Sequence, residues 1–299
     1  MRNSLLKLLY EKETTVFDRS LDFLIALLPT VIAGTLYFGI RALLCMLLCA
    51  ASAVLSEWLF SKLLSVKCDP RDLSAAVCGL LIGMTMPSGF SIPAAAICAF
   101  FAMPVARVMF GGVGCEIVSP SALGAVLAFV CFPTLFKYTD AFTGFPVSDT
   151  LISPVSSDYS IQQLLFGAHA GAIGETAAVF LAAGALYLAA RRAISLVMPV
   201  CALLGTALFS FMFGFDVLPA ILGGGVILAS VFMLTDKTIC PRGVFGKIAT
   251  GLVFGFITVI IRKYAAAEEG VYFAVLTVNI LRPLFDAIPD TPILRKRVS

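Results

Sequence analysis

Charge is scarce in this chain, and what there is keeps to the ends of long apolar runs. Only 13% of its 299 residues are charged, against 60% apolar. A soluble domain carries roughly 25% charged residues, so a mean hydropathy of +1.01 excludes a water-soluble helical protein. Histidine occurs once, at His169, and tryptophan once, at Trp58, which leaves no material for a histidine-ligated metal centre. None of the nine cysteines forms a CxxC pair, so no self-contained zinc or iron–sulfur site is encoded. Cys45, Cys49, Cys78, Cys98, Cys131 and Cys201 lie inside apolar runs, where cysteine behaves as a small hydrophobe. Cys115 and Cys240 lie at run ends beside glycine or proline, placed either for packing or for a cluster shared with another polypeptide. The phosphate-binding GxxxxGK[ST] signature is missing, which removes ATP-driven transport within the chain. Acids inside the apolar runs are too few for a stand-alone carboxylate proton relay. A net charge of +3 without a basic patch gives no footprint for nucleic acid.

What is present is a succession of membrane-length segments. Ten spans read as 21–39, 42–61, 73–86, 91–106, 121–136, 172–190, 194–213, 217–235, 244–261 and 270–288. A helix needs about 20 apolar residues to cross a bilayer core, so the shorter spans predict broken or tilted helices. With a cytoplasmic N-terminus, Arg41, Lys137, Arg262 and Lys263 fall outside and the rest of the 21 Lys and Arg fall inside. That asymmetry predicts cytoplasmic N- and C-termini in a cell (inner) membrane. Residues 1–20 mix acids and bases and carry no small-residue cleavage site, which predicts a short amphipathic segment on the cytoplasmic face rather than a cleaved signal.

One connection is long. Residues 137–171 form an outer loop rich in Ser, Thr, Asp and Gly, and long loops in compact proteins are usually functional or disordered. It separates a first half, 21–136, from a second, 172–288, followed by a tail, 289–299. The expected fold class is all-α: a polytopic membrane protein of ten transmembrane helices arranged as two five-helix repeats. Because five is odd, related halves must be inverted in the membrane, as in many transport folds. Gly79 and Gly83 precede the Met86-Pro87 break in span 3, and Gly223, Gly224 and Gly225 interrupt span 8, the third of its half. Gly251 and Gly255 repeat the GxxxG spacing that lets helix backbones approach closely in lipid.

Ionisable groups within spans are functional candidates, because burying charge in a bilayer is costly. Glu57 precedes Trp58 and reads as an interfacial residue. Glu175 opens span 6, either capping its first turn or lining a polar site. Asp236 ends span 8, and Asn279 is the one amide well inside an apolar run, where it needs a partner. Arg107 ends span 4 just before Gly111, Gly112 and Gly114, a glycine turn that allows either close backbone approach to a ligand or a tight re-entrant bend. His169, in the outer loop, reads as solvated. Glu175, Asp236 and Asn279 are therefore the candidates for an ion or polar pathway.

Several stretches carry a family resemblance: 21–44, GLLIGMTMP (79–87), MFGGVGCEIVSPSALG (109–124), GAIGETAAVFLAAGALYL (171–188), FMLTDKTICPRG (232–243) and GVYFAVLTVNILRPLFD (270–286). Together they make the chain resemble the D-type membrane component (RnfD) of the Rnf electron-transport complex. More distantly it resembles the B-type component (NqrB) of the sodium-translocating NADH:quinone reductase. The resemblance implies a membrane subunit of a redox-driven translocase that couples electron flow between ferredoxin and NAD to Na⁺ or H⁺ movement, with the other members of the complex as partners. It also implies FMN joined through its phosphate to an outer-loop threonine in a motif like D-x-x-S-G-A-T-P. Here Thr150 takes the acceptor position and Ser148 the small residue two places before it, but Gly144, Asp149 and Leu151 replace the acid, the alanine and the proline. Sliding the register to Pro154 makes Ser153 the acceptor. An adjacent Asp149 would repel an incoming phosphate, so a noncovalent flavin, with the glycine turn as a candidate contact, stays open beside the tether. A non-redox transporter or channel and a purely structural subunit remain as alternatives.

Overall fold

A computed structural model describes residues 15–66, 72–138, 161–167, 169, 171–265 and 269–288. Ser148, Thr150 and Ser153 lie outside the described residues. Those that are described form helices: α1 (Val16–Phe38), α2 (Ile40–Leu63), α3 (Ser74–Met84), α4 (Ile92–Ala106), α5 (Pro120–Cys131), α6 (Ile161–Phe166), α7 (Ala178–Arg191), α8 (Val197–Phe213), α9 (Val217–Leu222), α10 (Val226–Leu228), α11 (Val244–Ala265), α12 (Gly270–Ile280) and α13 (Arg282–Asp286). An isolated antiparallel bridge joins Pro87 to Ala172.

The first helix starts ahead of its apolar run. Thr15 Oγ1 accepts the Asp18 amide at 3.2 Å, and Asp18 places negative charge in the first turn. Cap and charge start the helix at Val16, five residues before Leu21. At the other end Gly39, with φ of 79°, turns the chain straight into α2.

Among the described residues, four stretches are long and apolar enough to cross a membrane: Val16–Phe38, Ile40–Leu63, Ile92–Phe110 and Val244–Ala265. Five shorter apolar helices, α3, α5, α7, α8 and α12, accompany them. The side-chain distribution is that of a multi-pass membrane protein. Large apolar residues such as Leu28, Ile32, Leu36, Leu204 and Phe211 point outward, whereas the interior is rich in Ala, Cys, Gly and Met. Lipid solvates the large side chains, so helix association depends on close packing of small ones.

That packing explains the GxxxG pairs. α2 lies along both α3 and α4. A Cβ at Gly83 would sit 2.6 Å from Met46 Cα, and one at Gly79 would sit 2.5 Å from the Cys49 carbonyl oxygen. In the later part of the chain α11 lies along α8, and a Cβ at Gly251 would come within 2.8 Å of the Ala202 amide nitrogen. α5 packs on α4, α12 on α11, α1 on α7, and α5 on α12.

Two helices are interrupted. α3 stops at Met84, and its terminal carbonyls, which have no partner within the helix, are met by another segment. The Gly174 amide donates to Met84 O at 2.8 Å and the Ile173 amide to Met86 O at 3.0 Å. A Cβ on Gly174 would lie 2.5 Å from Met84 Cβ, so the GAIGET stretch can zip onto this helix end only through glycine. The second break separates α9 from α10 at Gly223–Gly225, after which Ala229–Met233 form a wide π turn.

Candidate functional site

The two ends of α3 carry two buried polar clusters, about 15 Å apart along its eleven residues. At the N-terminal end the organiser is Arg107, which caps α4 and is only 2% exposed. Its Nε pairs with Glu116. One terminal nitrogen donates to Glu57 at 3.3 Å and to Ser74 Oγ at 2.6 Å, and the other approaches Cys78 Sγ at 3.5 Å. One guanidinium thus ties α2, α3 and the α4–α5 connection together. Its planar fork suits this, since it can serve several acceptors at fixed angles.

Arg107, Glu116, Ser74 and Cys78 form part of the wall of a cavity of about 330 Å³. Phe23 and Phe232, edge to face at 6.0 Å, give it an apolar side. Ser119 and Ser121, whose hydroxyls are 2.8 Å apart, give it a polar one. Gly114 and Asp236 also line it. Asp236 accepts the Thr238 amide at 3.3 Å and its hydroxyl at 3.1 Å, and Arg19 reaches the Thr235 carbonyl at 2.7 Å. Burial, reinforced by Asp236 and opposed by Arg107, pushes the Glu116 carboxyl up to about 7.

Asn279 supports this cavity without facing it. With its amide oriented to satisfy both groups, it accepts from the Ser119 amide at 3.0 Å and donates to Val275 O at 3.2 Å. The end of α12 is thereby fixed to the start of α5. Gly111, Gly112 and Gly114 all have positive φ, and the Gly112 amide returns to Arg107 O at 3.2 Å. The glycine turn folds the connection back over Arg107.

The second cluster lies beyond the C-terminal end of α3. Glu175 precedes α7 by three residues and is buried, and its carboxylate accepts the Tyr272 hydroxyl from α12. Gly225, with φ of 70°, makes this possible, because a Cβ there would sit 2.6 Å from the Tyr272 oxygen and 2.8 Å from Glu175 Cδ. Arg262 of α11 donates to the carbonyls of Ala220 (2.7 Å), Gly224 (3.0 Å) and Gly223 (3.3 Å), holding the end of α9. Glu269, buried at the start of α12, completes the group.

The structure therefore brings Gly114 and Asp236 to one cavity, with Asn279 behind it, and puts Glu175 in a different place. Two readings change, those of Glu57 and His169. Glu57 is buried and paired with Arg107 rather than interfacial. For Glu175, left open between a helix cap and a polar site, the carboxylate meets Tyr272 across the fold. His169 is 1% exposed rather than solvated. Sequence reading misses Glu116, Tyr272 and Glu269 as site residues, and it uses Arg262 only to assign topology. Glu116 and Glu269 do share a signal: each is an acid between an arginine at a span end and the start of the next span.

Comparison with known proteins matches the chain to a family. The NQR2, RnfD, RnfE family model matches residues 9–293. The D-type component of the Na⁺-translocating ferredoxin:NAD⁺ oxidoreductase complex of Acetobacterium woodii is 30% identical over 274 residues, covering 89% of this chain and 86% of that protein. Its counterpart in the proton-translocating ferredoxin:NAD⁺ oxidoreductase complex of Clostridium ljungdahlii is 28% identical, covering 88% and 86%. The D-type component of the ion-translocating oxidoreductase complex of Escherichia coli is 27% identical, covering 88% and 90%. A match spanning both polar clusters and every helix between them leaves one conclusion, that the chain belongs to the NQR2, RnfD, RnfE family.

Proposed function

We propose that this chain is the D-type membrane subunit of an ion-translocating ferredoxin:NAD⁺ oxidoreductase complex, coupling electron transfer to the movement of Na⁺ or H⁺. The end-to-end family match carries the reading. The proposed setting is the cytoplasmic membrane with both termini on the cytoplasmic side, and the proposed partners are the other members of the complex.

The proposed architecture is two inverted halves of five segments. In one half they are α1, α2, α3, α4 and α5; in the other they are α7, α8, the interrupted pair α9–α10, α11 and α12. The packing supports this pairing. α2 lies along α4 as α8 lies along α11, and α4 packs on α5 as α11 packs on α12. The first members, α1 and α7, face each other, and so do the last, α5 and α12, as helices beside a two-fold axis in the membrane plane would.

The proposed redox group is FMN on the outer loop, esterified to Thr150 or Ser153. Bound flavin supplies one- and two-electron chemistry, and the protein supplies its position. A second, noncovalent flavin would fit the Arg107 cavity: Phe23 and Phe232 offer an apolar wall, and Glu116 Oε2 is buried there without a hydrogen-bond partner among the described residues. The departures at Gly144, Asp149 and Leu151 favour one competing reading, a subunit without the tether that organises its partners.

The test is the intact mass of the denatured chain, from cells that possess a flavin transferase, with in-gel flavin fluorescence beside it. A mass increase of FMN less water, lost in Thr150→Ala and kept in Ser153→Ala, supports the tether at Thr150. The reverse pattern moves it to Ser153, and an unmodified mass refutes the tether. Ferredoxin-dependent NAD⁺ reduction by the complex, and its loss when this chain is deleted, tests the function itself.

A further inference from the structure

Glu269 has an environment that no role assigned so far explains. It is 4% exposed and stands immediately before α12. Its side chain makes no cap to the helix, and no ion pair or hydrogen bond to that carboxyl occurs among the described residues. Its backbone carbonyl takes the Tyr272 amide at 3.0 Å, which holds Glu269 one turn from the Tyr272 side chain. The charged and titratable groups gathered there are Tyr272 from α12, Arg262 from α11 and Glu175 from the segment before α7.

A buried, unpaired carboxylate is too costly to keep. The favoured state is the neutral acid, and the group binds a proton instead of bearing a charge. We propose that Glu269 is a proton-binding site: it is held as the neutral acid beside the Tyr272–Glu175 pair, and it exchanges its proton with water on the face reached by the α11–α12 connection. The exchange balances as loss of one proton from the carboxyl to water and its later return, with no electron transferred at this residue. Burial pushes the Glu269 carboxyl up to about 8, so around neutral pH the acid form dominates and can still be deprotonated. The site rests on the proposed function in one respect: its proton is taken to be part of ion movement by the complex.

Two measurements on the purified complex separate the site from that reading. The first is infrared difference spectroscopy across a pH series, following the carbonyl stretch of protonated carboxylic acids in wild type and Glu269→Gln. The expected result is an acid band at neutral pH that disappears as pH rises past about 8 and is absent from the variant. An acid band identical in both proteins means that Glu269 is ionised and overturns the proposal. A band that responds to added Na⁺ at fixed pH overturns it in favour of a sodium site.

The second is proton uptake into proteoliposomes alongside ferredoxin–NAD electron transfer. Glu269→Gln should keep electron transfer and lose most proton uptake, whereas Glu269→Asp should restore part of it. Equal uptake by Glu269→Gln and wild type would overturn the transport role. Should the wild-type complex transfer no electrons between ferredoxin and NAD, the proposed function fails, while the infrared assignment of Glu269 stands by itself.

Discussion

Removing Arg107 gives the most demanding check on the energetics. The Arg107→Met variant keeps much of the side-chain volume but strands Glu57 and Glu116, both buried. Breaking a buried ion pair by deleting one partner costs about 3–5 kcal/mol, and the lost bond to Ser74 Oγ adds to this. The pH dependence is the sharper test. In the native protein the Glu116 carboxyl stands at about 7, above its ordinary 4.5. A raised carboxyl means that the folded state holds the extra proton, so stability falls as pH rises from 4.5 to about 7 and is then flat with respect to this group. Arg107 opposes that rise, so without it the carboxyl climbs further. The variant then goes on losing stability above pH 7, by up to about 1.4 kcal/mol per pH unit. The assay is thermal unfolding in detergent, followed by a fluorogenic maleimide reacting with cysteines that are buried in the fold, such as Cys49 and Cys78. The gap between wild type and variant should widen from pH 7 to pH 8.5, and adding Glu116→Gln should reduce the slope by one carboxylate. A gap independent of pH, or one unmoved by Glu116→Gln, would refute the assignment of Glu116 as the stranded charge.

Other expectations follow from single contacts. Gly83→Ala should cost about 1–3 kcal/mol by overpacking, because its Cβ would meet Met46 Cα at 2.6 Å, while Gly89→Ala, with nothing within 4 Å, should be close to neutral in the same melt. Gly225→Ala combines a φ of 70° with a collision at Tyr272 and Glu175, and should reduce folded yield on size-exclusion chromatography more than Gly83→Ala does. Asn279→Leu should cost about 1–3 kcal/mol, because it leaves the Ser119 amide without its 3.0 Å acceptor. Cys115 is exposed in the α4–α5 connection, so on the proposed topology a membrane-impermeant maleimide should modify it from the cytoplasmic side, and labelling from the outside alone would invert that topology.

The parts of the fold legible in sequence are those written in local chemistry. Met86-Pro87 and Gly223–Gly225 announce breaks because proline and glycine act on the backbone where they stand. Gly79 and Gly83 announce close packing because their spacing puts both on one helix face. The start of α1 is hidden because its cap, Thr15 with Asp18, lies in a mixed-charge stretch that hydropathy alone assigns to the cytoplasm. The Arg107 network is invisible for a different reason. Residues 57, 74, 107 and 116 follow no helical or strand period, and only the packing of α2 against α3 and α4 brings them together. Glu175 resembles a helix cap because an acid before an apolar run usually is one, and its partner, Tyr272, is 97 residues away. His169 reads as solvated because its loop is polar, and the fold buries it nonetheless.

The two arginines also account for why the acid that follows one of them is paired and the acid that follows the other is not. On the repeat reading, Arg107 and Arg262 hold corresponding places, each near the end of the fourth segment of its half and each reaching to the third. They meet opposite ends of a helix. Arg107 arrives at the start of α3, where the backbone presents N–H groups and partial positive charge. It finds the Ser74 hydroxyl and the Cys78 thiol there, and takes its charged acceptors from Glu57 and Glu116. Arg262 arrives at the end of α9, where the backbone presents carbonyls, and three of them accept it directly. Glu116, which follows Arg107, is therefore its counterion, whereas among the described residues no ion pair joins Glu269 to Arg262. Glu269 is left in a buried position with its charge uncompensated, and a carboxyl in that position keeps its proton.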